Sequence, residues 1–280
     1  MIKKTCRPFF VRLLLCILFI LSILPTRAGT VDTVSIYSNS MQKQIKAVVI
    51  KPGNYKKKTN RFPVVYLLHG YDGWYSNWII REPQLLGYAD AYQTIIVCPD
   101  GGKSSWYFDS PFDTTSRYET HIANEVVDYI DKHYRSIPDK KHRAITGLSM
   151  GGHGALFLAL RHPDIFGAAG SMSGGLDMKE VGYRFDVPLR IGDTLTYLQN
   201  WTDYSLTGII DKYTRTPVAI LFDCGIGDIF IEGNRRLHQK MLALKIPHEY
   251  AEKPGVHDWN YWRRSLPFHL LFFRNFFNKN

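Results

Sequence analysis

The order of apolar and polar positions divides the chain into short strands separated by helices. Residues 30–38 and 44–51 alternate apolar and polar side chains, which predicts a half-exposed hairpin. Val64-Val65-Tyr66-Leu67-Leu68 is apolar throughout and ends in His69-Gly70, the pattern of a parallel strand covered on both faces. A loop rich in aromatic residues follows, then a helix near residues 84–91. Residues 94–98 repeat the buried-strand pattern and are closed by Pro99-Asp100-Gly101. Ile122, Val126, Val127 and Ile130 recur at helical spacing, which predicts a helix over residues 118–134. Further strands are expected at residues 143–146, 168–173, 218–224 and 248–252, with an amphipathic closing helix over 261–277. Strands alternating with helices predict an α/β fold, a mostly parallel central sheet with helices on both faces. Such sheets bind ligands beyond the carboxyl ends of their strands. Residues 174–217, before the penultimate strand, show no clear strand. They carry Tyr183, Phe185, Tyr197, Trp201, Tyr204 and Tyr213, and read as an insertion forming a lid or pocket wall.

The N-terminus departs from this pattern. Lys3, Lys4, Arg7 and Arg12 precede or enter an apolar stretch over residues 11–24, and Thr26-Arg27-Ala28 offers small residues before Gly29. Residues 1–28 therefore read as a cleavable signal peptide, and residues 29–280 as a single catalytic domain. The apolar run is short for a membrane span of about 20 residues. A secreted or periplasmic location is expected, with no stable membrane span after cleavage. Cys16 follows a bulky Leu15, which argues against lipoprotein processing. Removing Lys3, Lys4, Arg7, Arg12 and Arg27 lowers the formal net charge from +10 to +5. The Lys56-Lys57-Lys58 run reads as a solvated turn, since no basic and aromatic groove pattern accompanies it, and no nucleic-acid partner is expected. Cys6 and Cys16 leave with the signal. Cys98 and Cys224 end strands that the topology separates, so two buried thiols are expected instead of a disulfide.

The candidate chemistry centres on Gly147-Leu148-Ser149-Met150-Gly151. A strand precedes it and a helical run, residues 152–161, follows it. Strand, sharp turn and helix around G-x-S-x-G is the context of a nucleophile elbow. The helix N-terminus then offers free N–H groups and a positive dipole end to an oxyanion. Such a serine needs an acid and then a histidine downstream. Asp228, in the turn after the strand over residues 218–224, is the candidate acid. Asp223 lies inside that strand and is expected to support the turn; Asp177, Asp186, Asp193 and Asp203 fall in the insertion. His257 follows the last strand in Pro254-Gly255-Val256-His257-Asp258-Trp259 and is the candidate base. His153, His162, His238 and His248 lie on helices or at a strand start. The two oxyanion donors are expected to be the backbone N–H groups of Met150, after the nucleophile, and Tyr71, after His69-Gly70. Gly70 allows that loop to approach the acyl group.

Several segments together resemble the esterase D / tributyrin esterase family of α/β-hydrolases, which includes S-formylglutathione hydrolases, feruloyl and acetyl-xylan esterases, and the antigen 85 mycolyltransferases. They are Tyr66 to Gly70, Cys98-Pro99-Asp100-Gly101 with Ser105-Trp106-Tyr107, Gly147 to Gly154, Asp223-Cys224-Gly225 with Asp228, and His257-Asp258-Trp259 with Trp262. The resemblance implies a serine esterase with the triad Ser149, Asp228 and His257. It implies no metal and no cofactor, and places Trp106 and Tyr107 near the substrate cleft. The exported branches suggest acetyl or feruloyl esters of carbohydrates, with short acyl chains. Tyr71, Trp74, Trp78, Trp106, Tyr107 and Trp201 are candidates to stack on their rings. Two other readings use the same residues: an acyltransferase of the mycolyltransferase type, and a non-catalytic binding member of the fold. The oligomeric state is not legible in the sequence.

Overall fold

The computed structural model describes residues 29–56 and 59–279. The expected signal segment lies outside the described residues, as do Lys57 and Lys58. The strands are β1 (Thr30–Ser38), β2 (Lys43–Lys51), β3 (Val64–Leu68), β4 (Ile95–Pro99), β5 (Arg143–Gly147), β6 (Ala168–Met172), β7 (Ala219–Gly225) and β8 (Glu249–Lys253). They form one sheet in the order β1-β2-β4-β3-β5-β6-β7-β8. β2 runs antiparallel to β1 and β4, and the other pairs are parallel.

The continuous apolar run of β3 has a direct cause. Val64, Tyr66 and Leu68 enter a core shared with helices α2 (Val127–His133), α3 (Met150–Arg161) and α4 (Ile231–Ala243). Val65 and Leu67 enter a second core with α1 (Leu85–Tyr92) and α5 (Trp259–Asn278). Both faces are covered, so neither tolerates polar side chains. Each such side chain stabilises the fold by about 1.5–3 kcal/mol on burial. Cys98 on β4 and Cys224 on β7 are free thiols, with β3, β5 and β6 between them.

The helix expected over residues 118–134 contains a π-helical stretch, His121–Val126. Ala123 is buried alongside Ile122, Val126, Val127 and Ile130, on the face that the apolar spacing predicts. The insertion folds into short helices, Met178–Val181, Val187–Ile191, Leu198–Asp203 and Leu206–Ile209. Leu176, Met178, Val187, Ile191 and Trp201 join the same apolar cluster as β3 and α3, so the insertion is packed onto the body of the fold.

Asp223 has a different task from the one expected. Instead of supporting the turn, it ties the closing helix to β7. Tyr261 Oη donates to Oδ1 at 3.0 Å, and Lys253 Nζ lies 2.9 Å from Oδ2. Ser265 Oγ also donates to Oδ2, and His269 Nε2–H reaches it at 3.3 Å. Thr146 Oγ1, 2.9 Å from His269 Nδ1, completes the chain back to β5. Burial raises the Asp223 pKa, but the His269 hydrogen bond and charge, with Lys253 and Ser265, prevail and hold it down at about 2.

A carboxyl whose folded pKa is depressed stabilises the fold above its unfolded pKa, and that stability is lost as pH falls through the folded value. Asp223→Asn is expected to cost about 3 kcal/mol near neutral pH, because it leaves Lys253 and His269 beside a neutral group. Urea unfolding of both proteins between roughly pH 2 and pH 7 checks this. The gap should narrow as pH falls from about 4 to about 2. A gap independent of pH would mean that the carboxylate charge is not what holds α5.

Candidate active site

Ser149 stands between β5 and α3 with φ 55° and ψ −118°. A non-glycine residue held there costs about 1–3 kcal/mol and needs surroundings that enforce it. Its N–H donates to the Met172 carbonyl oxygen on β6 at 2.9 Å, and its carbonyl oxygen accepts the His153 N–H at 3.0 Å. Both flanking glycines are required by close approach. A Cβ at Gly147 would lie 2.6 Å from the Gly151 backbone, and one at Gly151 would lie 2.5 Å from the His69 carbonyl oxygen. Helix α3 can therefore cross β3 and β5 only without side chains at the crossing.

Asp228 and His257 are brought to Ser149 by two loops joined to each other. The Ile226 N–H donates to the Lys253 carbonyl oxygen at 3.0 Å, and the Gly227 N–H to that of Gly255 at 2.9 Å. The turns after β7 and β8 are thus tied to each other. His257 Nδ1 lies 2.9 Å from both Asp228 carboxylate oxygens, and His257 Nε2 lies 2.9 Å from Ser149 Oγ. The Phe230 N–H donates to Asp228 Oδ1 at 2.9 Å, which fixes the carboxylate plane. Because the carboxylate accepts from Nδ1–H, Nε2 is left to accept the serine proton. The imidazole is gripped by two aromatic edges, Phe230 and Trp262, each with its centroid 5.0 Å away and nearly perpendicular. Phe230 was not singled out from the sequence, where it is one of three consecutive apolar residues, Ile229-Phe230-Ile231, after Asp228. Ser149 is 9% exposed and the Asp228 side chain is fully buried, whereas the His257 side chain is 18% exposed.

The loop after β3 passes beside Ser149. A Cβ at Gly70 would lie 3.4 Å from Ser149 Cβ. Among the described residues neither the Tyr71 nor the Met150 backbone N–H has a hydrogen-bond partner. His69 holds this loop from below. The Gly101 N–H donates to its Nε2 at 2.8 Å, so its proton is on Nδ1 and is donated to the Gly70 carbonyl oxygen at 2.8 Å. Tyr107 Oη donates to the His69 carbonyl oxygen at 3.0 Å.

Trp106 and Tyr107 support the cleft and do not form its surface. Both are buried, at 1% and 0% exposure, in a turn where each has positive φ. Trp106 Nε1 donates to the Phe185 carbonyl oxygen at 3.0 Å. Trp78 and Trp201 are likewise buried, with their indole N–H groups on the Leu68 and Gly192 carbonyl oxygens. A ring already packed on both faces has none to offer a ligand. Of the aromatic residues expected to stack, Tyr71 and Trp74 remain accessible.

The rival residues have other partners. His153 is fully buried and held neutral: burial pushes its pKa down to about 3, against the hydrogen bond to the Tyr204 carbonyl oxygen. His162 pairs with Glu119, and His238 with His248. Asp177 pairs with Arg236 and Asp203 with Lys212, while Asp193 accepts turn N–H groups. Asp186 does reach the site, accepting from Tyr71 Oη at 3.2 Å. Among the described residues no group of three or more His, Cys, Asp or Glu is placed to hold a metal ion.

A mostly parallel eight-stranded sheet with these elements at the carboxyl ends of its strands is an α/β-hydrolase fold, and the chain is a carboxylic-ester hydrolase. It belongs to the family described as putative esterase, whose model matches residues 38–273. An acetyl esterase of Caldicellulosiruptor saccharolyticus is 25% identical over 254 residues, covering 83% of this chain and 94% of the relative. A diacylglycerol acyltransferase/mycolyltransferase Ag85A of Mycobacterium leprae is 28% identical over 275 residues, 84% of this chain and 80% of the relative. A solved ferulic acid esterase superposes with a TM-score of 0.76 at 30% identity, covering 89% of this chain and 99% of that one.

Gly151→Ala is expected to destabilise the protein by about 3 kcal/mol, because its Cβ meets backbone that cannot step aside. Thermal unfolding and ester turnover checks this, with both falling together. An unchanged melting temperature would mean that the α3–β3 crossing is looser than its geometry.

Proposed function

We propose that Ser149, His257 and Asp228 are the catalytic triad of this esterase, with the Tyr71 and Met150 N–H groups as its oxyanion hole. The observation that carries this is the unbroken hydrogen-bond chain from Asp228 through His257 to Ser149, each link 2.9 Å, ending on a serine in strained backbone. His257 Nε2 takes the serine proton as Oγ attacks the ester carbonyl carbon. The carbonyl oxygen becomes an oxyanion and is met by the two unspent N–H groups, each worth roughly 3 kcal/mol. His257 returns the proton to the alcohol oxygen as the acyl–alcohol bond breaks, leaving Ser149 acylated. Water then attacks by the same route and releases the acid. Asp228 holds the imidazole tautomer throughout and stabilises the imidazolium.

The natural substrates in this reading are short-chain esters, with acetyl or feruloyl decorations of carbohydrates as the preferred class. The acetyl esterase and ferulic acid esterase relatives support that choice, and the accessible Tyr71 and Trp74 are compatible with a ring-bearing substrate. Export is part of the same proposal and rests on the pattern of residues 1–28. Transfer of the acyl group to an alcohol in place of water is the second reading, favoured by the Ag85A relative.

Hydrolysis of p-nitrophenyl esters from acetate to palmitate, and of methyl ferulate, tests the assignment. Ser149→Ala should abolish turnover and organophosphate labelling while leaving the fold intact. Asp228→Asn should lower kcat by about 10⁴. Asp223→Asn should lose stability and keep its turnover per folded molecule; the reverse order would exchange the two acids. Adding an alcohol acceptor measures the partition between hydrolysis and transfer.

A further inference from the structure

We propose that Asp186, from the insertion, is a positioning residue for the oxyanion hole, acting through the ring of Tyr71. The inference rests on the reading of the Tyr71 N–H as an oxyanion donor. That N–H belongs to the Gly70–Tyr71 peptide, whose direction is fixed from two ends. At the carbonyl end, the Gly70 oxygen accepts from His69 Nδ1–H at 2.8 Å and from the Gly73 N–H at 3.1 Å. A peptide plane is rigid, so pinning its carbonyl on one side aims its N–H to the other. At the side-chain end, Tyr71 Oη donates to Asp186 Oδ2 at 3.2 Å, and the Tyr71 ring meets Phe185 edge-on at 5.3 Å between centroids.

The partner on the insertion is itself held rigidly. Phe185 and Asp186 are consecutive non-glycine residues with φ of 56° and 59°. That backbone is sparsely populated and persists only where its surroundings over-determine it. Three contacts do so here. Trp106 Nε1 donates to the Phe185 carbonyl oxygen at 3.0 Å. The Arg184 guanidinium donates to the Val181 and Glu180 carbonyl oxygens at 2.8 Å and 2.6 Å. The Phe185 ring also packs on Phe230, which in turn meets the His257 imidazole. One strained turn therefore touches both halves of the site, the oxyanion loop through Tyr71 and the base through Phe230. This explains the buried position of Trp106: its indole sets the carbonyl from which the turn hangs.

A group that aims an oxyanion donor stabilises the transition state more than the bound ester. Asp186→Ala is therefore expected to lower kcat for p-nitrophenyl acetate about tenfold, with KM changed less than about twofold. Affinity for a trifluoromethyl ketone, whose hemiketal oxygen occupies the oxyanion hole, should fall by a similar factor. Tyr71→Phe should match Asp186→Ala, and the double variant should lose no more than either alone. Asp186→Asn, which keeps an acceptor oxygen, should recover most of the loss. Additive losses, a change confined to KM, or no recovery by Asp186→Asn would each overturn the proposal. Thermal unfolding of each variant separates a general loss of folding from lost positioning. Ser149→Ala is run beside them: if it still hydrolyses the ester, the reading of the site itself fails. If it is inactive and Asp186→Ala is fully active, Asp186 alone is excluded.

Discussion

The close crossing of α3 over β3 and β5 is the constraint on which the rest of the structure depends. It places Ser149 in backbone that the residue would not choose, and it is possible only because Gly147 and Gly151 carry no side chains. The strain is held by hydrogen bonds to β6 and to the first turn of α3. A looser crossing would relax the backbone at Ser149. On the proposed triad, the stability given up at Ser149 leaves the reacting atoms little to reorganise during the reaction.

Around that crossing the two buried carboxylates have separate tasks. Asp228 faces His257 and closes the hydrogen-bond chain to Ser149. Asp223, only five positions earlier in the chain, turns into the sheet and secures α5 through Tyr261, Ser265, His269 and Lys253. Since α5 carries Trp262, which meets the His257 imidazole, Asp223 reaches the site through packing. Phe230 on the other side of the ring belongs to the same turn as Asp228. The His257 imidazole is therefore oriented by hydrogen bonds along its plane and by two nearly perpendicular aromatic rings.

Much of this was legible in the residues. The continuous apolar runs of β3 and β4 require two covered faces. The glycines about Ser149 signal an elbow, and the order of acid and histidine after it narrows the choice to a few loop positions. Boundaries agreed to within one or two residues where an apolar run ended in a turn. Less legible was the π-helical stretch at His121–Val126, because its wider turns leave the apolar spacing close to that of an α-helix. The aromatic residues misled for a different reason. An indole or phenol is equally suited to stacking on a ligand and to filling a core, and the sequence does not say which faces are already covered. Trp78, Trp106, Tyr107 and Trp201 are covered on all sides.

The sequence by itself determined the parallel sheet and the glycine-flanked turn at Ser149, because these depend on local periodicity and on glycine at short spacing. Tertiary structure decided what Asp223 holds, which rings are buried, and how a turn from the insertion meets the loop after β3. The sequence separates Asp223, inside a strand, from Asp228, in the turn after it, but it does not show that Asp223 meets Tyr261, Ser265 and His269 of the closing helix. Asp186 and Tyr71 are 115 residues apart, and no local rule brings them together. Contacts of that kind depend on how the packed layers place distant loops, and that placement exists only once the whole sheet has formed.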